Sequence, residues 1–214
     1  MWVFRSVLDK RARMITCALH EKLWVAYDAN DCTLYKIWNG GKTGVVFDGA
    51  VYTSKHGPQP TTQGNTYMYG IYDKPVWQLS LNGEIVENTK AQFKGYVWMN
   101  NTVTLKYAFS GPNNIEITIE ETPEYIQKSK DGMPGIARNF VVKNIPEGYK
   151  FGIELGVSSL STYTDFVTTG DFVITEKSEK IGKNNTSYAI KGILFFKNNI
   201  PANIKTYFLP AAIN

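Results

Sequence analysis

The 214-residue chain carries 23 basic and 19 acidic residues, a net charge of +4, and these charges are spread without a basic block, which disfavours nucleic acid as a partner. No run of 18 apolar residues is present, so no membrane span is predicted, and the first residues lack the charged-then-apolar order of a signal peptide. A chain of this length buries about 70% of its unfolded surface.

The first part of the chain predicts a lead-in followed by a meander. Residues 1–13 are expected to form a short extended or helical lead-in. Three segments rich in β-branched and aromatic residues follow, at 15–19, 23–27 and 33–38, and turn residues separate them. Segments of this kind, joined by short turns, are typical of neighbouring antiparallel strands.

A glycine-rich segment at 38–60 comes next and holds five of the eighteen glycines. A strand is predicted over 45–56, and its alternate positions divide between two faces. The positions expected to face the core are Val45, Phe47, Val51 and Thr53. The positions expected to face the other way are Asp48, Tyr52 and His56. Because of Pro58 and Pro60, the chain here cannot be helical and is biased toward extended conformations, and 57–75 is predicted to be a long loop of a functional kind.

Hairpins dominate the remainder. Asn82-Gly83 is a strong two-residue turn signal. The segments 103–109 and 115–120 alternate apolar and polar residues around a turn at 110–114, which predicts an antiparallel hairpin with one wet face. Strand-like segments continue to the end, and no stretch shows a helical period. The pattern predicts an all-β protein, a single antiparallel β-sandwich domain over residues 1–214.

Several motifs together resemble a known domain: WVFRSVLD (2–9), LWVAYD (23–28), LYKIWNGG (34–41), FDGAVYT (47–53) and HGPQP (56–60). They are similar to the N-terminal domain of large secreted bacterial proteins, where it is joined to c-type cytochrome, sugar-dehydrogenase propeller or keto-disaccharide hydrolase-like domains. The resemblance is dense over 2–60 and looser through FKGY (93–96), ETPEY (121–125) and Arg138. It implies an extracytoplasmic location and a setting of sugar oxidation or degradation, but no mechanism. The strand texture alone also resembles galactose-mutarotase-type supersandwiches.

The aromatic content of 14% favours a carbohydrate ligand, because the C–H faces of sugars stack on aromatic rings and their hydroxyls bind polar side chains. The predicted ligand-binding residues in or beside the glycine-rich segment are Trp38, Asp48, Tyr52, His56, Gln59 and Trp77. Arg5 and Arg13, from the beginning of the chain, are predicted to add guanidinium groups. Each has a structural alternative. The tryptophans can fill the core, the arginines can pair with surface acids, and Asp48 and His56 can brace a loop.

Two functions are compatible with these residues. The first is a carbohydrate-recognition or docking module, working with other domains or proteins of a sugar-processing system. The alternative is an enzyme that acts on a sugar or keto-sugar, with Asp48 and His56 as its acid/base pair. Along a straight strand these two residues would lie roughly 26 Å apart, so the chain must bend for them to meet. A binding module should show a shallow aromatic shelf, and an enzyme should show a deep polar pocket.

Metal and covalent chemistry receive little support. Two histidines are too few for a His-rich metal site, and a β-turn is favoured over a calcium site at Asp28, Asn30 and Asp31. No cofactor is predicted. The two cysteines, Cys17 and Cys32, lack zinc or haem spacing, and we expect two separate buried thiols rather than one disulfide. Glu120 and Glu121 are adjacent, so they should face opposite sides of a strand and cannot share a substrate.

Overall fold

The computed structural model describes residues 1–49, 60–128, 132–158, 164–182 and 185–208. The first nine strands in these ranges are β1 (Trp2–Leu8), β2 (Arg11–His20), β3 (Leu23–Asp28), β4 (Thr33–Asn39), β5 (Phe47–Asp48), β6 (Thr61–Thr62), β7 (Asn65–Tyr69), β8 (Trp77–Leu81) and β9 (Glu84–Ile85). The next nine are β10 (Lys90–Met99), β11 (Thr102–Gly111), β12 (Ile115–Lys128), β13 (Met133–Lys143), β14 (Tyr149–Ser158), β15 (Thr164–Thr169), β16 (Asp171–Gly182), β17 (Asn185–Phe196) and β18 (Ala202–Phe208).

The strands form two main antiparallel sheets. The larger sheet has the order β1-β2-β3-β4-β7-β14-β17-β16, with β8 and β9 added beside β14, and the smaller sheet has the order β10-β11-β12-β13-β18-β15. Strands β5 and β6 form a separate two-stranded ribbon. The predicted all-β antiparallel sandwich is confirmed. Within the described ranges, Gly41–Thr43 forms a single 3-10 turn, and no helix is long and apolar enough to cross a membrane.

One continuous core fills the space between the two sheets, because alternate residues of each strand point inward. The predicted hairpin is confirmed: β11 pairs with β12, and Tyr107 lies opposite Ile119. The inward residues of β11 are buried, and they are Val103, Leu105, Tyr107 and Phe109. Burying each such side chain contributes about 1.5–3 kcal/mol. The Asn82-Gly83 turn is also confirmed, with positive φ at both residues and β9 paired back on β8.

A second, smaller apolar layer covers the outer face of the larger sheet. Its buried members are Leu8, Met14, Ala26, Tyr35 and Trp38, with Trp24, Phe47 and Tyr69 packed against them. Phe47 belongs to the glycine-rich segment, which therefore folds over this outer face. The prediction that Val45 faces the core is wrong, because Val45 is 49% exposed. In the described part of this predicted strand, the chain forms the two-residue strand β5 after the 3-10 turn.

Two segments that were not predicted as sheet strands, the lead-in and the long loop, are part of the sheets. Residues 1–13, the expected lead-in, form the edge strand β1 and the beginning of β2. Of the expected loop at 57–75, the described part contains β6 and β7, and β7 pairs with β4. Strand pairing supplied by distant partners, rather than local propensity, makes these segments extended.

The cysteine prediction is confirmed. Cys17 and Cys32 are both buried free thiols in the main core. Burial, and then nearby carboxylates, raises the pKa of Cys32 to about 12, so the thiol stays protonated. Both cysteines act as small apolar side chains in this fold.

Candidate functional site

The structure buries Trp38, one of the predicted ligand-binding residues. Its indole lies 5.8 Å from the ring of Phe47 and 6.2 Å from that of Trp24, between ring centroids, and its Nε1 donates to the Val46 carbonyl at 3.1 Å. Its side chain has no exposed face on which a sugar can stack. Trp38 therefore anchors the glycine-rich segment to the sheet.

The ends of the segment that holds the other candidates are fixed next to each other. Asp48 is exposed on β5 and lies opposite Thr61 in the ladder with β6. Asp9 fastens the returning chain: it accepts from the Thr62 backbone at 2.7 Å and from the Thr62 hydroxyl at 2.9 Å. Tyr52, His56 and Gln59 lie outside the described residues, so their predicted roles stay predictions.

Trp77 is also a core residue. It is 4% exposed and stacks on Phe151 with 5.7 Å between ring centroids and 6° between planes. Its Nε1 donates to the Cys32 carbonyl at 2.9 Å. The indole donor is satisfied and Phe151 covers one face of the ring, so Trp77 is placed in the core rather than on a ligand surface.

A cavity of about 180 Å³ lies at one end of the sandwich and includes part of Trp77 in its wall. Asp31, Lys90 and Phe109 also line it. Burial, and then the charge of Asp28, raises the pKa of Asp31. Asp31 is the one carboxylate among the lining residues, so this cavity does not bring two carboxyls together for acid/base chemistry.

A buried ionic network centred on Glu121 lies between the two sheets. Glu121, fully buried on β12, accepts from Arg138 Nε at 2.6 Å, from the Tyr27 hydroxyl at 2.9 Å and from the Tyr107 hydroxyl at 3.4 Å. Burial, and then the charge of Glu121, raises the pKa of both tyrosines, which keeps their phenols protonated as donors. Because Tyr27 belongs to the larger sheet and the other three to the smaller sheet, the network joins the two layers. Glu120 faces outward, and its Oε1 lies 3.8 Å from Lys106 Nζ. The prediction that Glu120 and Glu121 face opposite sides of the strand is confirmed.

The arginines near the beginning of the chain divide between structural and exposed positions. Arg11 pairs with Asp28 at 3.1 Å and with Asp73 at 3.1 Å, and its guanidinium lies over the rings of Tyr35 and Tyr72. These contacts tie the chain around Asp73 to the larger sheet. Arg13, a predicted ligand residue, is exposed at a position of positive φ, where its carbonyl accepts from the Ala29 backbone at 3.1 Å.

The Arg11–Asp73 pair makes part of the stability dependent on pH. The hydrogen bond from Arg11 holds the pKa of Asp73 below its usual value of 3.8. A carboxyl whose folded pKa is depressed stabilises the fold above its unfolded pKa, and this contribution is lost as the pH falls through the folded pKa. We expect Arg11→Met to raise the pKa of Asp73 toward its usual value, measured by NMR titration of the carboxyl. An unchanged pKa would show that the pair does not form in solution.

Arg5, the other arginine predicted to bind ligand, has a different environment. It is exposed on β1, yet it lies opposite the buried Ile15. Directly opposed residues of an antiparallel pair share one face, so Arg5 is on the side of β1 that faces the smaller sheet. No described acidic residue forms an ion pair with it.

Two exposed aromatic residues on β10 were missed by the sequence analysis. Tyr96 is 38% exposed and Trp98 is 53% exposed. They lie opposite Leu105 and Val103, which are buried in the core, so both rings face inward across the sandwich. We call the surface formed by Tyr96 and Trp98 the edge shelf.

The offset between the two sheets explains why these inward-facing rings are exposed. At this end of the sandwich, Tyr125 of β12 stacks on His20 of β2 with 4.0 Å between ring centroids. β10 lies two strands beyond β12, whereas the larger sheet has one strand, β1, beyond β2. The end of β10 therefore extends past the edge of the larger sheet, and no described strand covers the edge shelf.

Arg5 lies beside this shelf. The Met1 amino group donates to Asn101 Oδ1 at 2.7 Å, which joins the beginning of β1 to the turn after β10. Tyr27 lies two strands in from β1, in the cross-strand row that contains Arg5, and it donates to Glu121, which lies two strands in from β10, in the row that contains Tyr96. Arg5 and Tyr96 therefore end corresponding rows of the two sheets at the same edge of the sandwich. Arg5 and Tyr96 are both roughly 13–17 Å along their strands from the Met1–Asn101 contact, at about 3.3 Å per residue.

The sequence does carry a signal for the edge shelf. The run 96–99 has four large apolar residues directly before Asn100-Asn101, a turn in which both asparagines have positive φ. A strand that keeps apolar residues at consecutive positions is either buried on both faces or exposes one of them. Strand order is needed to choose between these, and β10 proves to be an edge strand.

The described residues define a two-sheet antiparallel β-sandwich with an exposed aromatic pair at one edge. No protein-family model matches the chain, and no curated protein matches it. Among solved structures, it is similar to the 4-alpha-glucanotransferase from Thermococcus litoralis, with a TM-score of 0.44 and 9% identity. The match covers 98% of this chain, which spans 40% of the length of that protein. A similarity at this level does not assign an activity.

Proposed function

We propose that the protein is a non-catalytic carbohydrate-recognition module and that the edge shelf is its sugar-binding surface. The observation that carries the proposal is the pair of exposed rings, Tyr96 and Trp98, on one side of an edge strand. Residues two apart on a strand are about 6.6 Å apart, so the two rings are neighbours on one face of β10. Tyrosine and tryptophan supply rigid contact area at a low entropic cost.

Polar groups beside the rings suit the hydroxyls of a sugar. Asn100 and Asn101 are exposed, and an asparagine amide offers both donors and an acceptor. Arg5 adds a guanidinium whose planar set of donors can bind paired oxygens. The turn that carries the asparagines is held by the Met1 contact. The shelf therefore combines an apolar platform with directional hydrogen-bonding groups.

The described geometry favours recognition over catalysis. The enzyme alternative rests on Asp48 and His56. Asp48 is exposed on a two-residue strand, and His56 is outside the described residues. The setting that we propose, an extracytoplasmic sugar-oxidising or sugar-degrading system with other domains as partners, rests on the sequence resemblance. The choice of a recognition module rests on the edge shelf.

Removing either ring should weaken sugar binding without unfolding the protein. We expect Trp98→Ala and Tyr96→Ala each to weaken binding at least tenfold, about 1.4 kcal/mol, because each variant removes a stacking surface. Stability should change by no more than about 0.5 kcal/mol, since both side chains are exposed. A glycan array would identify the ligand, and calorimetric titration would measure its affinity.

Ile85→Ala provides the matched control. Ile85 is 62% exposed on β9, away from the edge shelf, so its removal tests a general loss of exposed apolar surface. Binding by this variant should equal that of the unchanged protein. The proposed function would be wrong if no glycan binds, or if a bound glycan is held equally well by the Trp98→Ala variant.

A further inference from the structure

Resting on the proposed sugar-binding function, we infer that the edge shelf prefers an acidic saccharide, one whose sugar rings carry carboxylates. The inference starts from Arg5, an exposed guanidinium beside the shelf that forms no ion pair with a described acid. Arg11 differs, because it is already bound by two carboxylates and two rings. Arg5 therefore keeps its donors for a ligand.

The charge distribution on this edge of the sandwich also favours an anionic ligand. The strands that build it are β1, β2, β10 and β11, and all four lie within the described residues. They carry six basic residues and not one acidic residue. The chain as a whole has nearly balanced charges, with 23 basic and 19 acidic residues. Ion pairs neutralise Arg11 and Lys106, and the other four basic residues, Arg5, Arg13, Lys90 and Lys94, form no ion pair with a described acid. The uncompensated charge at this edge is therefore positive, which favours an anionic ligand.

A carboxylate matches the geometry that Arg5 offers. The guanidinium presents parallel N–H groups that bind the two oxygens of a carboxylate together. A ring that stacks on Tyr96 or Trp98 brings its substituents to the edge of the shelf, where Arg5 lies. The stacked ring and its carboxylate belong to one molecule. Stacking on the shelf therefore positions the carboxylate near Arg5 and reduces the entropic cost of forming the ion pair.

Single-stranded nucleic acid is the other ligand class that combines rings with anions. Its recognition normally needs a basic groove that follows the backbone over several phosphates. Here Lys106 pairs with Glu120, and Lys94 donates to Gln92 at 2.8 Å, so the cations of β10 and β11 do not line up along the shelf as free charges. The observations favour an acidic saccharide, which needs a single guanidinium, and an oligonucleotide becomes an arm of the test.

The experiment compares two oligosaccharides of equal length, an oligogalacturonate and the corresponding neutral galacto-oligosaccharide. They differ only at C6 of each ring, which is a carboxylate in the first and a hydroxymethyl group in the second. We expect the unchanged protein to bind the acidic ligand at least tenfold more tightly at low ionic strength. The preference should shrink at about 1 M salt, where screening acts within roughly 3 Å. Arg5→Gln should reduce the preference to near unity, because it weakens binding of the acidic ligand far more than binding of the neutral sugar. Thermal melts would verify that the variant is folded.

Lys143→Gln is the matched control, since it removes one exposed positive charge from the end of β13 and should keep the preference intact. Equal binding of both sugars, or a preference that survives in Arg5→Gln, would overturn the inference while Trp98→Ala still tests the proposed function. A single-stranded oligonucleotide that binds more tightly than the oligogalacturonate would also overturn it. If neither sugar binds, the proposed function fails together with the inference.

Discussion

Replacing Glu121 by alanine is expected to cost about 3–5 kcal/mol of the free energy of unfolding. The change leaves the guanidinium of Arg138, whose side chain is 8% exposed, without its carboxylate partner in the core. It also leaves the hydroxyls of Tyr27 and Tyr107 without the acceptor that joins them. Single domains are stable by only about 5–15 kcal/mol, so this one side chain decides a large part of the total.

Two controls separate the buried charge from other effects. In the double variant Glu121→Leu, Arg138→Met, both charges are absent, and we expect most of the loss to be recovered, because a paired removal leaves no charge stranded. Glu120→Ala removes the neighbouring carboxylate, which faces outward toward Lys106, and it should cost less than about 0.5 kcal/mol. Urea unfolding at neutral pH measures all three. A loss below about 1 kcal/mol for Glu121→Ala would show that Arg138 finds another partner or solvent.

The second large effect concerns Trp77. We expect Trp77→Ala to cost about 3–5 kcal/mol, because it empties a volume between Phe151 and the rest of the core. Trp77→Phe should cost less, since a ring remains to stack on Phe151. It still leaves the Cys32 carbonyl without its donor, at about 1–3 kcal/mol. Thermal or urea unfolding of the two variants gives the comparison.

Trp77 and Trp98 together make a reciprocal test. At a temperature where it remains folded, the Trp77→Ala protein should bind the saccharide with unchanged affinity. The Trp98→Ala protein should show unchanged stability and weakened binding. The opposite pattern, a loss of binding with intact stability in the Trp77 variant, would return Trp77 to the ligand site that the sequence suggested.

Local patterns in the sequence predicted the hairpins and the meander correctly. The alternation along 103–109 and 115–120 places one set of residues inward whatever lies opposite them, because successive side chains of a strand point to opposite faces. Asn82-Gly83 specifies its own turn, since both residues tolerate positive φ. The opposite orientations of Glu120 and Glu121 follow from the same alternation. These features need only neighbouring residues.

The candidate site was harder to predict, because the exposure of an aromatic residue is set by the layer that packs over it. Trp38, Trp77 and Trp98 all lie on strands, and their local sequences do not distinguish them. Phe47 folds over Trp38, Phe151 stacks on Trp77, and the offset between the two sheets leaves Trp98 uncovered. Of the predicted ligand residues, Arg5 lies beside the edge shelf, while Tyr52, His56 and Gln59 keep their status as predictions.

The sequence by itself determined which segments are strands, where several of them turn, and which side of each strand is apolar, because these depend on the two-residue period and on backbone preferences at turns. Only the tertiary structure decided which strand lies at an edge, which apolar side faces solvent, and which charges meet in the core. Glu121 and Arg138 lie diagonally across the neighbouring strands β12 and β13, and neither residue carries a local mark of burial. The physical reason is that burial and charge pairing depend on two surfaces in contact, whereas the sequence of a strand determines only the surface of that strand.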